Sequence, residues 1–260
     1  MSSNLIVNNI EVGAGATIYT AASNTLTFGT NGSEKVRISS GGEVGIGINN
    51  PEAYEANGNN LVVGNTTGHN GITILTGTDK DGRLGFADGT GAASYRGIIE
   101  YQHGTGTAEF MKIGVAGAER LRITSAGGLT FSNGELIEKC YINSTAWSTT
   151  GTVNLDNGMV QYNSSNLAGT TNTLDIISSA GINTSMATGD MMAVTCMTAV
   201  NASTAYVNNI TIDGIAATET WVGGSAPTDG GTSGVDIYAF NIVKTADATF
   251  LVVANQTKTS

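Results

Sequence analysis

The sequence predicts an all-β chain: a Gly-rich trimeric β shaft of short repeated strand–turn–strand units, then a C-terminal β-sandwich or jelly-roll-like head. Three observations carry this. Glycine supplies 36 of the 260 residues, about twice its ordinary share, and proline only 2. Thr, Ser and Asn dominate the polar positions, and they favour turns and exposed strand faces over helix interiors. Short apolar segments alternate with turn signals along the chain, and no helical period lasts beyond a turn or two.

Composition sets the outer bounds. Hydrophobic residues make up 40% of the chain and charged residues 12%, the reverse of a disordered composition. No Gly-X-Y period runs through it, so collagen is excluded. The formal charge of −10 argues against nucleic acid, whose phosphates need a basic patch. No apolar run reaches the length of a membrane-spanning helix. The opening segment MSSNLIVNNIEVG lacks the basic and apolar regions of a signal peptide. Cys140 and Cys196 are too few for a disulfide framework and read as buried thiols, with a single bridge between them left open.

The charge distribution divides the chain. Residues 1–135 hold 12 acidic and 8 basic residues, including every arginine; residues 136–260 hold 9 acidic and 3 basic residues and both tryptophans. The expected domains are therefore an N-terminal attachment segment with a β shaft over 1–135, and a β-sandwich head over 136–260.

Two stretches of the first part share a sequence. Glu34-Lys-Val-Arg37-Ile38-Ser39-Ser40-Gly-Gly-Glu-Val44-Gly-Ile46 matches Glu119-Arg-Leu-Arg122-Ile123-Thr124-Ser125-Ala-Gly-Gly-Leu129-Thr-Phe131, each residue 85 positions after its counterpart. Each stretch (34–46 and 119–131) reads as two short alternating strands around a Gly-containing turn. Repeats of this kind mark stacked arrays. A strand pair so short is not stable alone. Three copies of the chain would let Val36, Ile38, Val44, Ile46, Leu121, Ile123, Leu129 and Phe131 meet around a threefold axis. Further short strands are expected at Leu61–Val63, Ile72–Leu75, Leu84–Phe86 and Ile98–Ile99, with one helical turn in 51–58, where Pro51 suits a helix start.

The second part reads as seven strands: Cys140–Asn143, Met159–Tyr162, Leu174–Ile177, Met191–Val200, Tyr206–Ile212, Val235–Val243 and Thr249–Ala254. That pattern fits a sandwich or jelly roll. Met191–Val200 is apolar on both faces and is expected to be central.

Several of these stretches resemble the tail-fibre and other virion fibre proteins of tailed phages, especially phages of marine bacteria. That family is rich in Glu-Arg-x-Arg-Ile-Thr/Ser-Ser-x-Gly units like Glu119–Gly127, often followed by Val-Gly-Ile-Gly and a proline, as at Val44–Gly47 and Pro51 here. Phe86-Ala-Asp-Gly, Tyr95-Arg-Gly-Ile-Ile-Glu-Tyr and His103 are similar to the same fibres. Leu155–Tyr162 and Trp221–Pro227 resemble a C-terminal module of cyanophage and pelagiphage virion proteins. The resemblance implies a homotrimer, a β-rich shaft and a distal adhesive head. It implies partners among other virion proteins of tail or capsid and a glycan or protein of the host surface. The implied location is the virion, after synthesis in the infected host cytoplasm. Many such fibres end in a self-cleaving helical chaperone; this sequence ends in Asn255-Gln-Thr-Lys-Thr-Ser260, and self-cleavage is not expected.

The expected function is host attachment by a structural fibre without enzymatic activity. The alternatives are a capsid-decorating fibre and a fibre-borne polysaccharide depolymerase. No catalytic constellation, cofactor site or metal site is read. Asp79-Lys-Asp81-Gly fails the calcium-loop pattern and reads as a turn, and His69 and His103 lack paired spacing. The Glu34/Arg37 and Glu119/Arg122 charges read as pairs between chains that set register. For receptor binding the candidates are Trp221, Ser225, Asp229 and Tyr238: an aromatic for stacking on a sugar and polar groups on a Gly-rich loop. Trp221 has an alternative reading as the anchor that packs this loop onto the sandwich.

Overall fold

Left-handed turn residues organise the first of the two units into which the chain divides, between Gly134 and Glu135. The computed structural model describes residues 25–104, 109–132, 134–168 and 172–259; the expected N-terminal attachment segment falls largely outside them. Strands β1 (Leu26–Thr30), β2 (Ser33–Ile38), β3 (Val44–Ile46) and β4 (Leu61–Val63) form one sheet in that order. The β1–β2 hairpin turns through Asn31 and Gly32, with φ of 52° and 73°, the positive values that a type I′ turn needs. Between β3 and its parallel neighbour β4 lies a 3₁₀ turn at Pro51–Ala53, shorter than the expected helical segment.

Strands β5 (Asp81–Phe86), β6 (Gly97–Gln102), β7 (Phe110–Val115), β8 (Ala118–Thr124) and β9 (Leu129–Phe131) form a second sheet, an antiparallel meander. The two stretches that share sequence fold alike. Val36 lies opposite Ile46 and Ile38 opposite Val44; Leu121 lies opposite Phe131 and Ile123 opposite Leu129. The likeness extends upstream. Leu26 and Phe28 face Ile38 and Val36 just as Met111 and Ile113 face Ile123 and Leu121. Both hairpins carry a bulge at the same place, before Gly29 and before Gly114. Both turn through two residues of positive φ, the second time at Ala116 and Gly117.

The second unit is a two-sheet sandwich. Strands β10 (Tyr141–Asn143), β12 (Val160–Asn166), β14 (Met191–Ala199), β18 (Val235–Ala246), β19 (Thr249–Thr257) and β17 (Thr218–Trp221) form the larger sheet, in that spatial order. Strands β11 (Thr150–Asn154), β13 (Asn172–Ile177), β15 (Val207–Ile212) and β16 (Ile215–Ala216) form the smaller. From β10 to β15 the chain steps alternately between the sheets, and all neighbours so made are parallel. The long β18–β19 hairpin then closes the larger sheet.

Of the two expected architectures, a sandwich or a jelly roll, the winding departs from the jelly roll, whose strands are antiparallel Greek keys. A parallel neighbour needs a crossover of about a dozen residues, and from β10 to β15 each crossover contains a strand of the opposite sheet. β14 lies inside the larger sheet, as its apolar character demands. Leu174, Ile176, Val207, Ile210 and Ile212 from one sheet meet Val194, Cys196, Tyr238, Phe240, Ile242 and Val252 from the other in a single core. Among the described residues, every buried Leu, Ile, Val, Met, Phe, Tyr and Trp belongs to this unit.

Gly151 on β11 allows the closest approach in that core. A Cβ there would lie 2.3 Å from Cε3 of the buried Trp147. Gly151→Ala is therefore expected to displace the indole and destabilise the second unit by about 1–3 kcal/mol. Tryptophan fluorescence followed through thermal unfolding checks this; an unchanged midpoint would contradict it.

Candidate functional site

Strand alternation sorts the first unit's sheets into unlike faces, because residues two apart share a face and register aligns them across strands. In the first sheet, Phe28, Val36, Ile46 and Val63 form one cross-strand row, and Leu26, Ile38, Val44 and Leu61 the next. In the second sheet, Leu84, Ile99, Ile113, Leu121 and Phe131 form a row across all of its strands, flanked by Tyr101, Met111, Ile123 and Leu129. Each sheet thus has one wholly apolar face. Among the described residues nothing covers those faces: Phe28 is 56% exposed, Leu84 53% and Leu129 62%. A hollow of about 380 Å³ on the second face is lined by Ile72, Ile74, Leu84, Ile99, Tyr101 and Met111. His103 also lines it, edge-on to Tyr101 with centroids 4.9 Å apart.

All eight residues expected to line the shaft axis lie on these faces, and none is buried within the chain. The sequence reading missed much of the larger face, contributed by Phe86, Ile99, Tyr101, Met111, Ile113 and Val115. The alternation of Met111, Ile113 and Val115 was the signal that could have found it.

The other face of the second sheet is polar. Arg83, Glu100, Lys112, Arg122 and Thr130 make a cross-strand row. The Glu100 carboxylate is buried between Arg83 Nη2 and Lys112 Nζ, each at 2.6 Å. The Arg122 guanidinium sits 3.7 Å above the Phe110 ring. Arg122 also makes a two-pronged pair with Glu119, at 2.8 and 2.6 Å, and Arg37 makes the same pair with Glu34, at 2.7 Å twice. The expected pairing between chains is thus met within each chain. These arginine hydrogen bonds hold the Glu34 and Glu119 carboxyls below the usual range.

In the second unit the receptor candidates separate. Ser225 and Asp229 are exposed on the loop after β17, with Asp229 paired to Lys258 at 2.8 Å. Trp221 is only 7% exposed and packs in the core. Its indole N–H donates to Glu219 Oε2 at 2.8 Å, while Glu219 Oε1 accepts the Ile210 N–H at 2.6 Å. Tyr238 is completely buried, and its hydroxyl accepts from the Val207 N–H and from Gln256 Nε2, each at 3.0 Å. Neither ring offers a free face, so the expected aromatic platform is not formed by these two residues. Trp221 sits where its alternative reading put it, as an anchor. Cys140, just before β10, and Cys196, on β14, are both free thiols, and β12 lies between those two strands.

The chain matches no family model, no curated protein and no solved structure.

Two outcomes follow from this burial. Trp221→Ala is expected to cost the second unit about 3–5 kcal/mol, whereas Ser225→Ala leaves its melting midpoint unchanged within error; calorimetry of both variants is the check. Burial also pushes the Cys196 thiol up to about 12 and the Tyr238 hydroxyl well above its ordinary value. In alkali the unfolded chain then releases protons that the folded chain keeps, so stability falls as pH rises. The midpoint is expected to drop between pH 9 and 12, the range between the ordinary and the folded thiol, and less steeply in Cys196→Ala. A flat profile would contradict this.

Proposed function

We propose that this chain is the subunit of a homotrimeric, non-enzymatic phage virion fibre that contacts the host surface through its second unit. The observation that carries the proposal is the pair of uncovered apolar faces in the first unit. A sheet is stable when its apolar face is covered by another layer. Full burial of one large apolar side chain is worth about 1.5–3 kcal/mol, so covering even one row of five rivals the about 5–15 kcal/mol that holds an ordinary domain together. A second layer made of the same surface in other copies of the chain suits an isologous or cyclic assembly. Three copies turn three flat faces inward to a common axis and leave the Arg83–Glu100–Lys112 side outward, in solvent. The resemblance of Glu34–Ile46 and Glu119–Phe131 to phage fibre units supports three rather than two.

In this reading the second unit, which has its own core, is the distal module. Its contact with the host is the exposed loop after β17, through Val222, Ser225 and Asp229, with Trp221 fixing the loop from below.

Light scattering of the purified protein tests the assembly. The expected mass is three times the 26.5 kDa of the chain and resists dilution; a compact monomer or a dimer would overturn the trimer. Ile113→Asp, at the centre of the apolar row, is expected to abolish that mass while the second unit still melts as in the parent. Attachment is tested by binding of the trimer to host cells: Ser225→Ala with Asp229→Ala should weaken binding at least tenfold without changing the melting midpoint.

A further inference from the structure

A polar row crosses the core side of the larger sheet in the second unit. Asn163 on β12 lies opposite Thr198 on β14, and Thr198 opposite Asp236 on β18. Thr198 alternates with Val194 and Cys196, and Asp236 with Tyr238 and Phe240, so the row faces the core. Thr198 and Asp236 are 0% exposed and Asn163 1%.

Two of the row's five side-chain polar atoms have protein partners. Asp236 Oδ2 accepts the Gly231 N–H at 2.9 Å and Gln256 Nε2 at 3.1 Å. Asn163 Oδ1 accepts the Ser165 N–H at 3.2 Å. Three buried atoms remain without a protein partner: Asn163 Nδ2, Thr198 Oγ1 and Asp236 Oδ1. Each orphaned group of this kind is expensive, and native interiors usually answer such atoms with ordered water. Here they are neighbours in one row.

We infer that these three atoms bind a single internal water molecule. The donor set decides against a cation. The Ser165 N–H fixes the Asn163 amide, because turning it over would set donor against donor. Asn163 therefore presents an N–H to the site, which no metal or ammonium ion can accept. Water accepts from Asn163 Nδ2, donates to Asp236 Oδ1 and shares a bond with the Thr198 hydroxyl. Three partners are the usual complement of a buried water.

The site has work to do in the fold. Asp236 is the residue that tethers the loop after β17, through Gly231 and through Gln256, whose Nε2 also reaches the Asp229 carbonyl at 3.2 Å. That loop is tied from the other side by Gly230, whose N–H donates to the Ser203 carbonyl at 2.7 Å. The water braces the free oxygen of the tethering carboxylate, and with it the position of Asp229.

A crystal structure of the full chain, at a resolution that shows ordered solvent, is the test. One isolated density peak within about 2.7–3.2 Å of all three atoms is expected. An ion at about 2.3–2.6 Å from the oxygens, direct pairing among the three side chains, or no density between them would each overturn the inference. Asp236→Asn is expected to keep the peak, since an amide nitrogen that donates to the water replaces the carboxylate oxygen that accepted from it; loss of the peak in a folded variant would point to a cation and overturn the inference. Water-to-amide NOEs at the Asn163 side chain of the unmodified protein give an independent reading that needs no variant: a long-lived water signal is expected, and its absence counts against the site.

Discussion

A β-sheet with one apolar face is an incomplete object in water, and the first unit consists of two of them. Its described backbone departs from regular pairing at the two like bulges, before Gly29 and before Gly114. The turns have the φ values they need, and the charges on the polar side find partners at 2.6 Å around Glu100. What the unit lacks, among its described residues, is a second layer. Among the described residues its large apolar side chains are at best half-buried, whereas the second unit encloses a core of Leu, Ile, Val, Phe and Trp residues between two sheets. The contrast is one of supply: the second unit provides both layers from one chain, and the first provides only one.

This imbalance explains where the sequence was readable. Alternation in Val36-Arg37-Ile38 and Leu121-Arg122-Ile123 placed strands and assigned their apolar sides correctly, because a period of two leaves little choice of face. The shared stretch was visible where identical residues recur. Its upstream extension was hidden, because Asn31-Gly32 and Ala116-Gly117 make equivalent turns from different residues. A backbone conformation can be repeated without repeating the side chains that favour it.

The seven expected strands of the second unit are all present, whereas β11, β16 and β17 went unread and the topology was illegible. Periodicity reports that Leu174–Ile177 and Met191–Val200 are strands; it carries no information on which strand each will pair with. Parallel and antiparallel neighbours share the same alternation, so a sandwich wound by alternating steps reads like a jelly roll until the pairings are seen. The reading of Trp221 turned on the same gap. An aromatic before a glycine-rich loop serves equally well as a sugar platform or as an anchor, and Glu219, two residues away, decides by taking the indole N–H into the sheet. The polar row of Asn163, Thr198 and Asp236 left no linear signal, since its members lie far apart in the chain and meet only through strand order.

The equal spacing of the two like meanders has a consequence for how such a chain changes over generations. Ile46 and Phe131 end equivalent strands, and the residues after them, Gly47 and Ser132, donate to the equivalent carbonyls of Lys35 and Arg120. Unequal crossing-over between the two coding stretches would remove or duplicate 85 codons while keeping the reading frame and the strand register that the two stretches share. Length is then a heritable variable that can change in one step without a new fold having to be invented.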